Sequence, residues 1–171
     1  KAIQIQPNYA DAHYNLGVVL KELGENQKAI RSYEKAIQIQ PNYADAHYNL
    51  GVVLKELGKN QKAIRSYEKA IQIQPNYADA HYNLGNELKE LGKNQKAIRS
   101  YEKAIQIQPN YATAYNNLGN VLRELGENQK AKRSYEKAIQ IQPNDPDVNF
   151  NFGLLLLSMS DFKNGLIQYE W

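Results

Sequence analysis

Asn15, Asn49, Asn83, Asn117 and Asn151 stand 34 residues apart along a chain of 171 residues. A carboxamide both donates and accepts hydrogen bonds, so one such side chain can hold the C=O and the N–H of a peptide unit together. Neighbouring helices pack about 8–10 Å apart, and three extended residues cover about 10 Å. One Asn per helix therefore suits an extended chain gripped by its backbone at about every third residue. The competing role is structural: the same amides can bond backbone across repeats and only stiffen the stack.

Other periodic rows are poorer candidates for chemistry. His13, His47 and His81 suggest a metal, but zinc needs its nitrogens at about 2.0–2.1 Å, whereas equivalent residues on stacked repeats sit a helix spacing apart. They also fall among packing residues, so no metal site is expected. Asp11, Asp45 and Asp79 are likewise too far apart to work as a paired acid and base. No glycine-rich phosphate loop and no nucleophile–His–acid spacing occurs. The expectation is a protein that is not an enzyme and takes no cofactor. Lys28, Arg31 and Lys35 recur as a basic stripe that could attract nucleic acid. However, Glu34 and its equivalents lie beside the stripe and no aromatic residue is interleaved for base stacking. A solvated surface is the reading, with nucleic acid argued against.

The elements that carry these rows are legible from the punctuation. Pro7, Pro41, Pro75, Pro109 and Pro143 recur at the same period, as do Gly17, Gly51, Gly85, Gly119 and Gly153. Each unit holds two helical patterns, running in the second copy from about Tyr43 to Leu57 and from about Asn60 to Gln74. Asn42 is expected to cap the first helix with Asp45 in capping-box position, and Asn60 to cap the second. Gly58 falls where a left-handed residue should end the first helix. Pro75 stops the second and biases Gln74 away from helical angles.

Residues placed 100° apart around the first helix separate two faces. Ala12, His13, Leu16, Val19, Leu20 and Leu23 form the packing side, with Gly17 at its edge allowing close approach of the second helix. Asp11, Tyr14, Asn15, Val18, Lys21 and Glu22 form the other. The candidate binding row therefore comprises the five asparagines with Tyr14, Tyr48, Tyr82, Asn86, Asn120, Lys55 and Lys89. The stretch "ADAHYNLGVVLKELG" at Ala10 repeats unchanged at Ala44 but reads "ADAHYNLGNELKELG" at Ala78. Packing residues are expected to copy faithfully while the altered row faces a groove and diverges with the partner. In the fifth copy Phe150, Leu154 and Leu157 turn that row apolar.

Composition sets the class. Charged residues make up 23% and hydrophobic ones 42%, with no Cys, so neither disulfides nor thiolate metal sites can form. The longest apolar run, Leu154 to Leu157, is far short of a membrane span. A cytoplasmic location without membrane contact is expected. The chain opens at Lys1 in mid-pattern and reads as a segment of a longer array.

The spacing His13-x2-Leu16-Gly17-x2-Leu20, then Ala29-x3-Tyr33, then Pro41, resembles the tetratricopeptide repeat, with His where that family usually carries Trp. The resemblance covers the whole chain: residues 1–9 end a preceding repeat, residues 10–43, 44–77, 78–111 and 112–145 are full repeats, and residues 146–171 are a truncated fifth. It implies an all-α, right-handed solenoid whose first helices line a concave, peptide-binding groove. "QPNYADAHYNLG" and the asparagine row are also similar to repeats of O-linked N-acetylglucosamine transferases and their bacterial relatives. The expected function is a protein–protein interaction module holding an extended peptide or partner segment. The alternatives are a substrate-recruiting segment of a glycosyltransferase-like enzyme and a self-assembling scaffold. Ala2, Ile3 and Ile5 at one end, and Phe162, Leu166, Ile167 and Tyr169 at the other, should be left uncovered and join copies of the chain into homo-oligomers.

Overall fold

The computed structural model describes residues 9–160 together with 164, 166 and 167. Among them are nine α-helices: α1 (Ala10–Glu22), α2 (Asn26–Ile39), α3 (Ala44–Glu56), α4 (Asn60–Ile73), α5 (Ala78–Glu90), α6 (Asn94–Ile107), α7 (Ala112–Glu124), α8 (Asn128–Ile141) and α9 (Pro146–Ser158). The fold is an all-α solenoid of helix–turn–helix repeats. Its helices fall into two compact units, Lys1–Glu87 and Leu88–Trp171. In the first unit α1 packs on α2, α2 on α3, and α3 on α4; in the second α6 packs on α7, α7 on α8, and α8 on α9.

Within a repeat the two helices meet around one tyrosine. Tyr33, Tyr67, Tyr101 and Tyr135 are essentially fully buried, between pairs of buried alanines such as Ala29 and Ala36. The ring needs room, and Gly17 and Gly51 supply it: a Cβ on either would lie 2.6 Å from Cε1 of Tyr33 or Tyr67. Gly58 answers a different demand. Its φ is 68°, and its N–H bonds Lys55 O at 2.8 Å while Lys59 N–H bonds Leu54 O at 2.9 Å. These two bonds close the Schellman end of α3. Gln74, just before Pro75, leaves the helix at φ −125° and ψ 89°.

The expected N-caps are corrected. Asn42 sits in the Pro41 turn and is not a cap; Tyr43 precedes α3 and offers no side-chain bond to the helix. Asn60 lies inside α4, and Lys59 takes the flanking position, again without a side-chain bond. A side-chain cap is found at Asp145, whose Oδ1 accepts from Asp147 N and Val148 N ahead of α9.

The predicted packing side is buried in the second copy, at Ala46, Leu50, Val53 and Leu54. Leu16, Val19 and Leu23 of the first copy are 40, 51 and 68% exposed. The counterparts of Leu16 and Val19 in the second copy, Leu50 and Val53, are buried, whereas those of Leu23 stay exposed at Leu91 and Leu125, 37 and 40%. Lys1 to Gln6, Phe162 and Tyr169 are outside the described residues, while Leu166 and Ile167 are each 54% exposed.

One packing position does not copy faithfully. Glu87 replaces the fully buried Val53 and is itself only 1% exposed, so half of the altered pair belongs to the interior and not to a binding row. A second departure is Lys132, which stands half-buried where Ile30, Ile64 and Ile98 are buried.

Candidate functional site

In the first unit the first helices of neighbouring repeats are tied by side chains 35 residues apart. Asn49 Nδ2 donates to Tyr14 Oη at 3.1 Å, and Asn83 Nδ2 donates to Tyr48 Oη at 3.0 Å. Asn49 Nδ2 also donates to Asp45 O at 3.1 Å. Both amide hydrogens of Asn49 are thus committed, and what it can offer a ligand is the acceptor Oδ1. The structural role weighed for this row is present at Asn49 and Asn83. Asn15 is exposed, while Asn49 and Asn83 are half-buried.

The tyrosines beside them are held by rings. Tyr14 lies 5.0 Å from Tyr43 and 6.0 Å from Tyr33 between centroids; Tyr48 lies 4.9 Å from Tyr77 and 6.0 Å from Tyr67. Tyr77 Oη donates to Asp45 Oδ1 at 2.9 Å. Burial, the Asp45 hydrogen bond and its negative charge all push the Tyr77 hydroxyl far up, and burial followed by Asp45 raises Tyr14. These hydroxyls are neutral at physiological pH and remain donors. Lys21 Nζ meets Glu56 at 3.9 Å with the same 35-residue offset. Lys55 is exposed, and Tyr82 and Asn86 are half-buried.

In the second unit the offset persists with different groups. Asn151 Nδ2 donates to Asn116 Oδ1 at 3.2 Å, and Lys89 Nζ meets Glu124 at 3.3 Å. Asn117 and Asn151 are half-buried. Asn120 Oδ1 accepts from the buried Tyr135 Oη at 2.7 Å. In the first copy Val18 holds the corresponding place, and the buried Tyr33 Oη has no hydrogen-bond partner. The Val-to-Asn change therefore satisfies a core hydroxyl at Asn120, a reason that no partner is needed to explain. Phe150 is 44% exposed at the apolar end of the row.

The histidines have structural partners: His47 Nε2 bonds Pro41 O and His81 Nε2 bonds Pro75 O, each at 3.0 Å. Asn149, their counterpart in the fifth copy, donates Nδ2 to Pro143 O at the same distance. An amide nitrogen can only donate there, which identifies Nε2–H as the histidine donor. Among the described residues no three His, Cys, Asp or Glu groups converge as metal ligands. The basic stripe is partly neutralised, since Lys28 pairs with Glu25 and Lys130 with Glu127. Lys35, Lys69, Lys103 and Lys137 each donate to the Gln three residues on. No helix among the described residues is long and apolar enough to cross a membrane.

Paired helices around a Gly–Tyr contact, repeated in register, define a helical-repeat protein whose first helices present one periodic face. The chain belongs to the tetratricopeptide-repeat family: the TPR repeat pattern matches residues 1–24, 19–58, 53–86 and 85–125, and the tetratricopeptide repeat pattern matches residues 112–145. Members of this family serve as protein-interaction modules. The structure is similar to MamA (29% identity, TM-score 0.85, 90% of each chain covered). It is also similar to PilF of Pseudomonas aeruginosa, at 27% identity and TM-score 0.84, covering 94% of this chain and 73% of that one. YrrB, described as a TPR protein with an unusual peptide-binding site, shares the fold at 23% identity and TM-score 0.85, with 98% and 86% covered. No curated protein matches the chain.

Proposed function

We propose that the chain is a non-enzymatic, cytoplasmic interaction module whose first-helix face holds an extended peptide or partner segment. The observation that carries this reading is the pinned Asn49. Its amide is fixed from two sides, so Oδ1 is preorganised to accept from a ligand N–H at little entropic cost. Neutral tyrosine hydroxyls beside it add donors in fixed places. The resemblance of the asparagine row to that of O-linked N-acetylglucosamine transferases supports a second reading, in which the segment recruits substrates for such an enzyme. Self-association through Leu166 and Ile167 is a further property of the same module.

A peptide array probed with the full chain, followed by titration of the strongest binder, tests the groove. Changing Asn49, Asn83 and Asn117 to Ala removes three acceptors, each contributing about 0.5–1.5 kcal/mol net, and should weaken binding about a hundredfold. Tyr14→Phe with Tyr48→Phe keeps the acceptors but removes two hydroxyl donors and loosens the pinned amides, and should weaken binding about tenfold. Unchanged affinity in the triple variant, or no binder on the array, overturns the proposal.

A further inference from the structure

The turn ahead of each second helix changes sign along the chain. Glu25 and Glu127 stand there in the first and fourth copies, Lys59 and Lys93 in the second and third. Where the residue is Glu, it pairs with the lysine three positions on, Lys28 or Lys130. Lys62 has Lys59 in that place. Among the described residues Arg31, Lys59, Lys62 and Arg65 take part in no ion pair or side-chain hydrogen bond, and all four are exposed. The arrangement costs local stability, because Lys59 precedes α4 and Lys62 lies in its first turn, where the helix dipole disfavours cations. No burial of these side chains offsets that cost.

The build of the surrounding furrow is seen in the second unit. There Arg99 and Glu102 of α6 and Lys130 and Arg133 of α8 line a cavity of 350 Å³, with Glu127 beside them and buried leucines of α7 at the floor. Glu127, and after it Glu102, holds the Lys130 ammonium above its ordinary range. In the first unit α2, α3 and α4 pack in the same order. The residues at the same register are identical with one exception, Lys59 in place of Glu127. The furrow of the first unit therefore sets four cations, Arg31, Lys59, Lys62 and Arg65, against the single carboxylate of Glu34. That of the second unit sets three against two.

Such a surplus suits a compact dianion. A phosphate monoester brings a charge of about −1.5 to −2 and three acceptor oxygens at neutral pH, and arginine forks match it with paired hydrogen bonds. A recess of this size between two helices takes one side chain. A flat bilayer or a nucleic-acid duplex would touch only its rim, and no aromatic residue lines the furrow for base stacking. We propose that the furrow between α2 and α4 binds a phosphorylated serine or threonine side chain of a partner protein through Arg31, Lys59, Lys62 and Arg65. This second-helix site is separate from the asparagine row and does not depend on the reading given to that row.

The test is an NMR titration of the full chain with acetyl-Ala-Gly-phosphoserine-Gly-Ala amide and with its unphosphorylated counterpart. The phosphopeptide should bind at least about tenfold more tightly, and shift the backbone signals of Lys59 and Lys62 and the Nε signals of Arg31 and Arg65. Lys59→Glu should erase that preference; since Glu stands at this position in the first and fourth copies, the fold and its circular dichroism should be kept. The reverse exchange, Glu127→Lys, should create a second site, read as new shifts at Arg99 and Arg133. Phosphopeptide binding should survive the change of Asn49, Asn83 and Asn117 to Ala, which separates this site from the groove. Equal binding of the two peptides, or a preference that Lys59→Glu leaves intact, overturns the proposal. So does a silent phosphopeptide when phosphatidylserine vesicles or a short DNA duplex bind through Lys59, because the partner is then a bilayer or a nucleic acid.

Discussion

Asn49 Nδ2 lies 3.1 Å from Tyr14 Oη, a partner 35 residues away on the preceding repeat. The bond couples two repeats directly, so its loss should be read in stability as well as in binding. Asn49→Ala and Tyr14→Phe should each destabilise the chain by about 0.5–1.5 kcal/mol. The double variant should cost less than the sum, because both remove the same interaction. Urea unfolding of the four proteins measures the coupling, and strict additivity would show that the contact carries no energy.

Tyr33 and Tyr135 are equivalent, yet only Tyr135 has an acceptor, in Asn120. Asn120→Val should strand a buried hydroxyl and cost about 1–3 kcal/mol. Val18→Asn should do the reverse for Tyr33, raising the melting temperature by about 2–4 °C. A lower melting temperature for Val18→Asn contradicts the equivalence.

Two glycine positions separate space from conformation. Gly51→Ala pushes a Cβ to 2.6 Å from Tyr67 Cε1 and should cost about 1–3 kcal/mol. Ser160 occupies the place held elsewhere by Gly24, Gly58, Gly92 and Gly126, and has φ 63°. Ser160→Gly should relieve that strain and stabilise the chain by about 1 kcal/mol. Thermal melts of both variants check the opposite signs.

Burial holds the His47 imidazole below its ordinary range, helped by the Lys69 charge, with the Pro41 hydrogen bond opposing. A depressed folded value means that the unfolded chain binds more protons. The contribution of His47 to stability is therefore complete above the unfolded imidazole's pKa of about 6.5. It is lost as pH falls from there through the folded value. His47→Asn keeps a donor for Pro41 O, as Asn149 does for Pro143 O, and should flatten that part of the stability–pH curve. Identical slopes in the two proteins would remove His47 as the cause.

The elements were readable because their boundaries are local chemistry. Gly58 and Pro75 end helices through φ angles and a missing donor, properties each residue carries alone. The caps were not, since Asn42 is drawn into the Pro41 turn, where Tyr43 N–H bonds Gln40 O at 3.2 Å. The partners of the asparagines were hidden for another reason. Reading by the 34-residue period aligns Asn15 with Asn49, whereas the contact joins Tyr14 to Asn49, one position off the period. The altered pair at residues 86 and 87 could not be read as one row, because Asn86 and the buried Glu87 lie on either side of the border between face and core, about 100° apart on the helix.

The links Tyr14–Asn49 and Tyr48–Asn83 are made by the same groups at nearly the same distance, and the text from Asn26 to Gln40 recurs unchanged from Asn60. A folding chain that loops out residues 44–77 can join Tyr14 to Asn83 through identical chemistry. Such repeat-skipped species are kinetic traps of the kind that tandem arrays encounter. The energy that disfavours them is the loss of one repeat's own core, not any mismatch at the seam. Asn116 breaks the interchangeability in the second unit, because it offers Asn151 an amide oxygen where Tyr14 and Tyr48 offer a hydroxyl. Fidelity of assembly is thus written into the imperfect copies, and the perfect ones must be sorted by speed of local closure.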